Sequence, residues 1–429
     1  IFLGLSASAQ DEVLTKQEAI NLILENNLDI KVARNTRLID ENNADILNSG
    51  YLPSVTGNAS GSIDKQNSEG VLANGDTRTA EGAETRRYSA AVNVNYTLFD
   101  GLGRYYNYKS FQERSEQSEL EVRQTIENTI LQLFTVYYEA ARLTENTSTL
   151  EQALEISKDR LKRAQYQFEF GQNTGLDVLN AEVDINTDSI NLLNSKQQLR
   201  NTMRDLNLIL NRDLSAKFAA DTTVTFVPGL QMENMYNEAQ MNNVRLQIVE
   251  KDINMGLNDI RIAKSGYLPT IGLTGTYGWN ESNNNSPLAF VLQNTSTGVT
   301  GTVNLTWNLF DGGTTITGIK NAKIAFQNQE IAKKQIQLEV ERDIRNAWDS
   351  YTNALYVLQV QEKNLQTNQN NFNRTDERYK LGQVTSIEFR QAQLNLLNAE
   401  LAKSQAKYNA KLAELQMLQV SGQLLNVEF

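Results

Sequence analysis

The stretch "YSAAVNVNYTLFDG", residues 88–101, decides how this chain must be read. Tyr88, Ala90, Val92, Val94, Tyr96 and Leu98 alternate with Ser89, Ala91, Asn93, Asn95 and Thr97, the period of two that belongs to a β-strand. Residues 299–309 repeat it: Val299, Gly301, Val303, Leu305, Trp307 and Leu309 form one face against Thr300, Thr302, Asn304, Thr306 and Asn308. A fainter alternation precedes each, through Val55, Gly57, Ala59, Gly61 and Ile63, and through Ile271, Leu273, Gly275, Tyr277 and Trp279. These spacings predict four strands in two hairpins, at about 54–64, 87–98, 270–279 and 299–309, each ~10 residues long. The polar segments 64–87 and 280–298, rich in Asn, Ser and Gly, are expected to be loops.

Working outward, the chain is written twice. Ser-Gly-Tyr-Leu-Pro stands at 49–53 and again at 265–269, a step of 216. Leu-Phe-Asp-Gly stands at 98–101 and 309–312, and "FGQNTG" at 170–175 answers "LGQVTS" at 381–386, both steps of 211. A duplicated unit with one loop shortened accounts for all three, giving repeats at 10–230 and 231–429. The chain has 4 prolines, and Pro53 and Pro269 occupy the same place in each copy. Proline cannot continue a helix and forces the preceding residue toward extended geometry, while Gly50 and Gly266 permit the bend. Each pair is a joint from helix to strand.

Residues 15–48 and 232–264 read as helix, opened in the first copy by a capping box of Thr15 and Glu18. Beyond each Asp-Gly a long proline-free helix begins. A seven-residue repeat runs through Ile344, Tyr351, Leu358, Leu365, Phe372 and Tyr379. It returns through Ile387, Leu394, Leu401, Tyr408 and Leu415, with Leu397 and Leu418 alongside. This seam predicts coiled-coil packing, and ~64 helical residues at 1.5 Å each extend roughly 95 Å. The hairpins turn at 170–176 and 381–387, and 211–230 is a connector with a short extended piece at 221–229. Phe429 follows a helical seam, so it reads as part of a belt around the helices rather than a closing strand.

Composition narrows the function. The chain has 0 Cys and 0 His, which removes thiolate nucleophiles, lipid attachment through Cys, and the commonest general base and metal ligand. No catalytic residue, metal or cofactor is expected. A net charge of −11 argues against nucleic acid as a partner. The opening "IFLGLSASA", residues 1–9, reads as the remainder of an export signal with Gln10 as the mature start. No run approaches the ~18 apolar residues of a membrane-spanning helix.

Uncharged strands with dyad alternation and aromatics near their ends match transmembrane β-barrel strands. The lipid-facing set is then Tyr88, Val92, Val94, Tyr96, Tyr277, Trp279, Val303, Leu305 and Trp307. Half of a soluble β-sandwich has the same pattern, but no further segment supplies a second sheet. Four strands cannot close a barrel, and an open edge in lipid leaves backbone groups unsatisfied. The barrel must be shared between chains; two copies give eight strands and three give twelve, and spacing does not choose. The rival reading is an extended coiled-coil oligomer of the periplasm or cell surface without a pore. A carboxylate-based enzyme is more remote, because no paired acids stand in a credible cleft.

"LTKQEAINLILENN" at 14–27, the two Gly-Tyr-Leu-Pro joints, the two Leu-Phe-Asp-Gly strand exits and the two Gly-Gln-x-Thr turns resemble the TolC family of bacterial outer-membrane efflux and secretion channels. The resemblance covers essentially the whole chain. It implies a homotrimer: a twelve-stranded barrel in the Gram-negative outer membrane on a twelve-helix periplasmic tunnel. It also implies two partners, a periplasmic adaptor and an inner-membrane RND or ABC transporter. By resemblance, the turns at Gly171, Gln172, Thr174, Gly175, Leu381, Gly382, Gln383, Thr385 and Ser386 dock the adaptor, and Asp177 with Glu388 forms an acidic ring at the aperture. A second acidic ring is in doubt, because the position three residues on is Gln391, with Asn180 as its repeat counterpart. Acids in a first helical turn also favour the helix dipole, and Gly after a helix also serves as an ordinary cap.

Overall fold

A computed structural model describes residues 13–427. The expectations for residues 1–9, Gln10 and Phe429 lie outside the described residues. The chain divides into two compact units, each drawing on both halves of the sequence. One holds the residues up to 36, then 119–249 and the chain from 333 onward; the other holds 37–118 and 250–332.

The helical hairpins are α3 (Gly103–Glu169) with α4 (Gly175–Ile209), and α7 (Thr314–Lys380) with α8 (Ser386–Val420). The first helix of each hairpin has 67 residues and the second 35, and every boundary recurs at the step of 211. The seam expected from the sequence is buried at Ile344, Tyr351, Leu358, Tyr379, Leu397, Tyr408, Leu415 and Leu418. Ile387 departs from it at 72% exposure, because it sits in the first turn of α8, where the packing has not yet begun.

The expected continuous helices 15–48 and 232–264 are each broken in the middle, and the first also stops at Asn43 rather than 48, because the Asp45 side chain accepts from the Leu47 N–H at 2.8 Å and opens a separate 3-10 turn, Ile46–Asn48. The pieces are α1 (Lys16–Asn26) and α2 (Leu28–Asn43), and α5 (Met232–Asn242) and α6 (Val244–Ser265). An Asn causes each mid-helix break. The Asn27 side-chain oxygen accepts from the N–H groups of Asp29 (3.0 Å) and Ile30 (3.2 Å), opening a new helix, while its NH₂ donates to the Ile209 carbonyl at 3.0 Å. Asn243 does the same with Arg245 (3.0 Å), Leu246 (3.4 Å) and the Val420 carbonyl (2.8 Å). Such local capping competes with helix continuation, and here it also ties each break to the end of α4 or α8.

The main core of this unit packs Phe134, Tyr137 and Tyr138 of α3 against Leu206, Tyr408 and Leu415. The Tyr137 hydroxyl donates to the Leu14 carbonyl at 2.6 Å and accepts from the Asp221 N–H at 3.0 Å. Burial pushes that hydroxyl up to about 12. It thereby anchors a short parallel ladder between β1 (Val13–Leu14) and β4 (Ala219–Ala220), which lies in the connector.

The other unit carries a four-stranded antiparallel sheet. Its strands are β2 (Ser54–Val71), β3 (Thr77–Asp100), β5 (Thr270–Asn284) and β6 (Gln293–Thr306), in the order β2-β3-β5-β6. The sheet is longer than the sequence suggests. Most of 64–87 is strand, not loop, because backbone pairing continues where the side chains change from apolar to charged: Lys65 lies opposite Glu84, and Gly70 opposite Arg78. The last strand starts earlier than expected and stops at Thr306, so Trp307 lies beyond it, its ring N–H donating to the Tyr267 carbonyl at 3.1 Å.

Candidate functional site: a two-faced sheet and two helix turns

Residues directly opposite each other in a ladder share a face, so the register sorts every side chain. Val92 pairs with Gly57 and Tyr277, Val94 with Val55 and Gly275, and Tyr96 with Leu273. Leu273 then pairs with Val303, Ile271 with Leu305, and Tyr277 with Val299. Tyr88, opposite Gly61, and Trp279, opposite Ala90, complete the same face. The expected set, Trp307 apart, therefore lies on one side of the sheet. Tyr88, Val92, Val94, Tyr277, Trp279, Val303 and Leu305 are exposed there, and Tyr96 is half-buried.

The opposite face is polar and bonded to itself. Ser60 and Ser89 hydroxyls lie 2.8 Å apart, Thr276 donates to Asn93 at 2.9 Å, and Thr274 to Asn95 at 3.3 Å. Among the described residues β2 pairs only with β3, and β6 only with β5, so both outer strands present open edges. An apolar face of this extent and two open edges are both costly when left to water.

The strands begin one residue after Pro53 and Pro269. The two joints bend by different means. Gly50 takes a left-handed φ of 73° that a side chain resists. Arg104 holds this joint together, donating to the carbonyls of Gly50 (2.6 Å) and Thr97 (2.7 Å) and to Asp100 (3.1 Å). Gly266 is needed for space instead, since a Cβ there would come within 2.9 Å of the Thr315 hydroxyl. Thr315, the repeat counterpart of Arg104, donates from its N–H to Asp311 at 2.8 Å.

At the far ends of the helical hairpins both turns follow one plan. Gly171 (φ 73°) and Gly382 (φ 70°) stop the helix in the left-handed region. The N–H groups of Gln172 and Gln383 then return to the carbonyls of Gln167 (2.7 Å) and Arg378 (2.9 Å). Thr174 and Thr385 cap the next helices, which start at Gly175 and Ser386. Asp177 accepts from the Thr174 hydroxyl at 2.9 Å, and Glu388 from the Thr385 hydroxyl at 2.8 Å and N–H at 2.7 Å. Both acids are thus members of capping boxes, and those hydrogen bonds hold the Glu388 carboxyl below its ordinary range. Leu381 stands exposed beside its turn.

Close to these turns lies a cluster that pattern reading missed. Arg390 of α8 makes a two-pronged bond to Asp188 of α4, 2.8 Å on each side, and contacts Ser157 of α3 at 3.2 Å. Ser157 also donates to Asp188 at 2.6 Å, Gln393 donates to the Ala153 carbonyl at 2.9 Å, and Arg160 pairs with Asp184. Ser157, Arg160, Asp188, Arg390 and Gln393 are all buried. The available signal was Asp184 and Asp188 one turn apart with Arg390 and Gln393 nearly so; nothing in either segment says they meet.

A sheet greasy on one side, polar on the other and open at both edges, fed by long helical hairpins, defines a subunit of an outer-membrane channel. The outer membrane efflux protein family model matches residues 19–212 and 235–423, and the chain belongs to that family. It is 23% identical over 349 residues to outer membrane protein TolC of Vibrio cholerae, covering 80% of this chain and 78% of that one. Outer membrane efflux protein BepC of Brucella suis is 21% identical over 422 residues, covering 96% and 88%. The outer membrane channel CmeC of Campylobacter jejuni shares the fold with a TM-score of 0.79 at 17% identity, over 95% of this chain and 86% of that one. The chain is a TolC-type outer-membrane exit duct of an efflux system, and the pore-free coiled-coil reading is not favoured.

Proposed function

We propose that three copies of this chain close a twelve-stranded barrel and that their helices continue it as a periplasmic tunnel. β6 of one copy pairs with β2 of the next, which satisfies both open edges. The apolar face meets lipid and the polar face becomes the lumen. The duplicated unit, 10–230 and 231–429, supplies two strands and one helical hairpin per repeat. At the turns around Gly171 and Gly382 a periplasmic adaptor docks and couples the duct to an inner-membrane RND or ABC pump. Transport is passive, with no covalent step and no catalytic residue; polypeptide secretion uses the same duct when the pump supplies it.

Asp177 and Glu388 serve twice in this reading, as caps and as the acids that narrow the aperture. Three copies bring six carboxylates toward one axis, an arrangement that favours multivalent cations. The observation that carries the proposal is the single register-consistent apolar face. Its test is reconstitution of the full chain from detergent into planar bilayers. A trimer with cation-blocked conductance is expected, and replacing Asp177 and Glu388 with Ala should weaken the block. A protein that stays monomeric and soluble without detergent would overturn the channel.

A further inference from the structure

The segment 280–298, expected from its composition to be a loop, leaves only the residues between β5 and β6 unpaired, and part of these lies against the sheet. Thr85 and Ala83 of β3 belong to the polar face, one and two alternations beyond Arg87, and both are buried although they stand near the end of the sheet. The cover is the segment 285–289. Asn285 donates its N–H to the Glu84 carbonyl at 3.1 Å, and its side-chain oxygen accepts from the Glu84 N–H at 2.6 Å. Ser286 is buried, and its hydroxyl accepts from the Leu288 N–H at 3.2 Å. Leu288 reaches Gly70, which shares the polar face with Gln66 and Ser68. The next three residues are Phe290, Val291 and Leu292, all exposed, with Phe290 at 104%.

These exposed apolar side chains follow directly on a segment that lies on a polar wall, and the Leu292 carbonyl accepts from the Asn284 N–H at 2.7 Å, extending the ladder there; apolar groups beside such a wall are out of place unless they do something. Below them that wall carries the Arg87–Asp64 pair (2.6 Å) and then only Ser, Thr, Asn and small residues. We propose that Phe290, Val291 and Leu292 form an apolar collar at the outward mouth of the duct that determines what crosses it. This rests on the channel reading above, since only closure brings the collars of several copies together. A hydrophobic constriction resists wetting, so it retards charged, hydrated solutes while small uncharged ones pass. The collar thus selects by polarity where the rest of the barrel wall does not.

The chain has no native Cys, which makes labelling clean. Thr300→Cys places a thiol on the polar face and Val299→Cys one on the apolar face. Intact cells carrying the full chain are treated from outside with a sulfonated dye maleimide or with N-ethylmaleimide. With the native loop, the Thr300→Cys thiol should react readily with N-ethylmaleimide and slowly with the charged dye. Changing Phe290, Val291 and Leu292 to Ser should speed the dye several-fold and leave N-ethylmaleimide unchanged. Phe290→Trp should slow the dye further, an effect in the opposite direction from any loosening of the fold. Equal dye rates in all three loops would overturn the collar while leaving the channel intact. A Thr300→Cys thiol blind to both reagents beside a Val299→Cys thiol open to the dye would overturn the channel reading itself.

Discussion

Set the middle of the sheet beside the cluster behind the helix turns, and the usual placement of residues is reversed twice. In the sheet Val92, Val303 and Leu305 stand uncovered on a charge-free surface. In the helical cluster Asp188 and Arg390 are sealed in at 2% and 9% exposure. Each reversal is costly in water. Apolar area left uncovered forgoes ~25 cal/mol per Å², and a buried charge is tolerable only when paired and fully hydrogen-bonded. In the channel proposed above the sheet resolves its cost through its surroundings, because lipid against the uncovered face makes it favourable. The cluster resolves most of its cost internally, through two-pronged pairing plus Ser157 and Gln393, although the buried Nε atoms of Arg160 and Arg390 lack hydrogen-bond partners among the described residues, the latter facing Asp184 only at 3.5 Å. One region is built for a different solvent, the other against any solvent.

The sharpest way to break this contrast is at the cluster. Asp188→Ala leaves Arg390 buried without its main partner and should cost about 3–5 kcal/mol, read as a lowered denaturation midpoint of the solubilised protein. Restoring apolar packing with Asp188→Leu and Arg390→Met together should recover most of it. If Asp188→Ala costs nothing measurable, the cluster is not sealed.

The second test is on the sheet. Val92→Arg or Val303→Arg should cost ~2–4 kcal/mol near mid-bilayer and abolish outer-membrane assembly. Asn304→Arg and Asn93→Arg on the polar face should be tolerated, the latter losing only its bond from Thr276. Equal yields of assembled protein from both pairs would remove the lipid face.

A smaller effect separates the two joints. Gly50→Ala forces a side chain into the left-handed region and should cost about 1–2 kcal/mol in thermal stability. Gly266→Ala carries no such backbone cost and asks only that Thr315 turn aside. Equal losses would show that the joints bend alike.

The smallest effect is in pH. Hydrogen bonds from Thr385 lower the folded Glu388 carboxyl below its ordinary 4.5, so its contribution is complete above that value and is lost as pH falls through the lowered one. Burial raises Glu127, despite its 2.8 Å bond from Arg123, so the folded state binds the extra proton and stability falls as pH rises just above 4.5. Protection factors at the α8 start, taken relative to the intrinsic exchange rate at each pH, should fall in acid, whereas Glu127→Gln should remove the loss on the other side. An α8 start indifferent to acid would mean that the capping box is not formed.

Much of this was legible beforehand. The repeated landmarks, the joints, the turns and the two strand faces rest on local rules that a single segment expresses: proline geometry, period two, capping. The strand ends were not, because alternation of side chains reports amphipathicity, while pairing of backbones continues through Lys65 and Glu84 regardless. Trp307 read as strand for the converse reason, since the pattern outlasts the ladder. Asn27 and Asn243 resemble any other Asn in a polar helix until the carbonyls of Ile209 and Val420 are seen to receive them.

The sequence by itself determined the order of elements, the doubling, and which side of each strand is greasy, because those follow from neighbours along the chain. Tertiary structure alone decided that Arg390 meets Asp188 across 202 residues, and that the 285–289 segment folds onto the polar face. Such contacts depend on where distant backbones come to lie, and the energy that selects them is a pairing or a covering that no local pattern encodes.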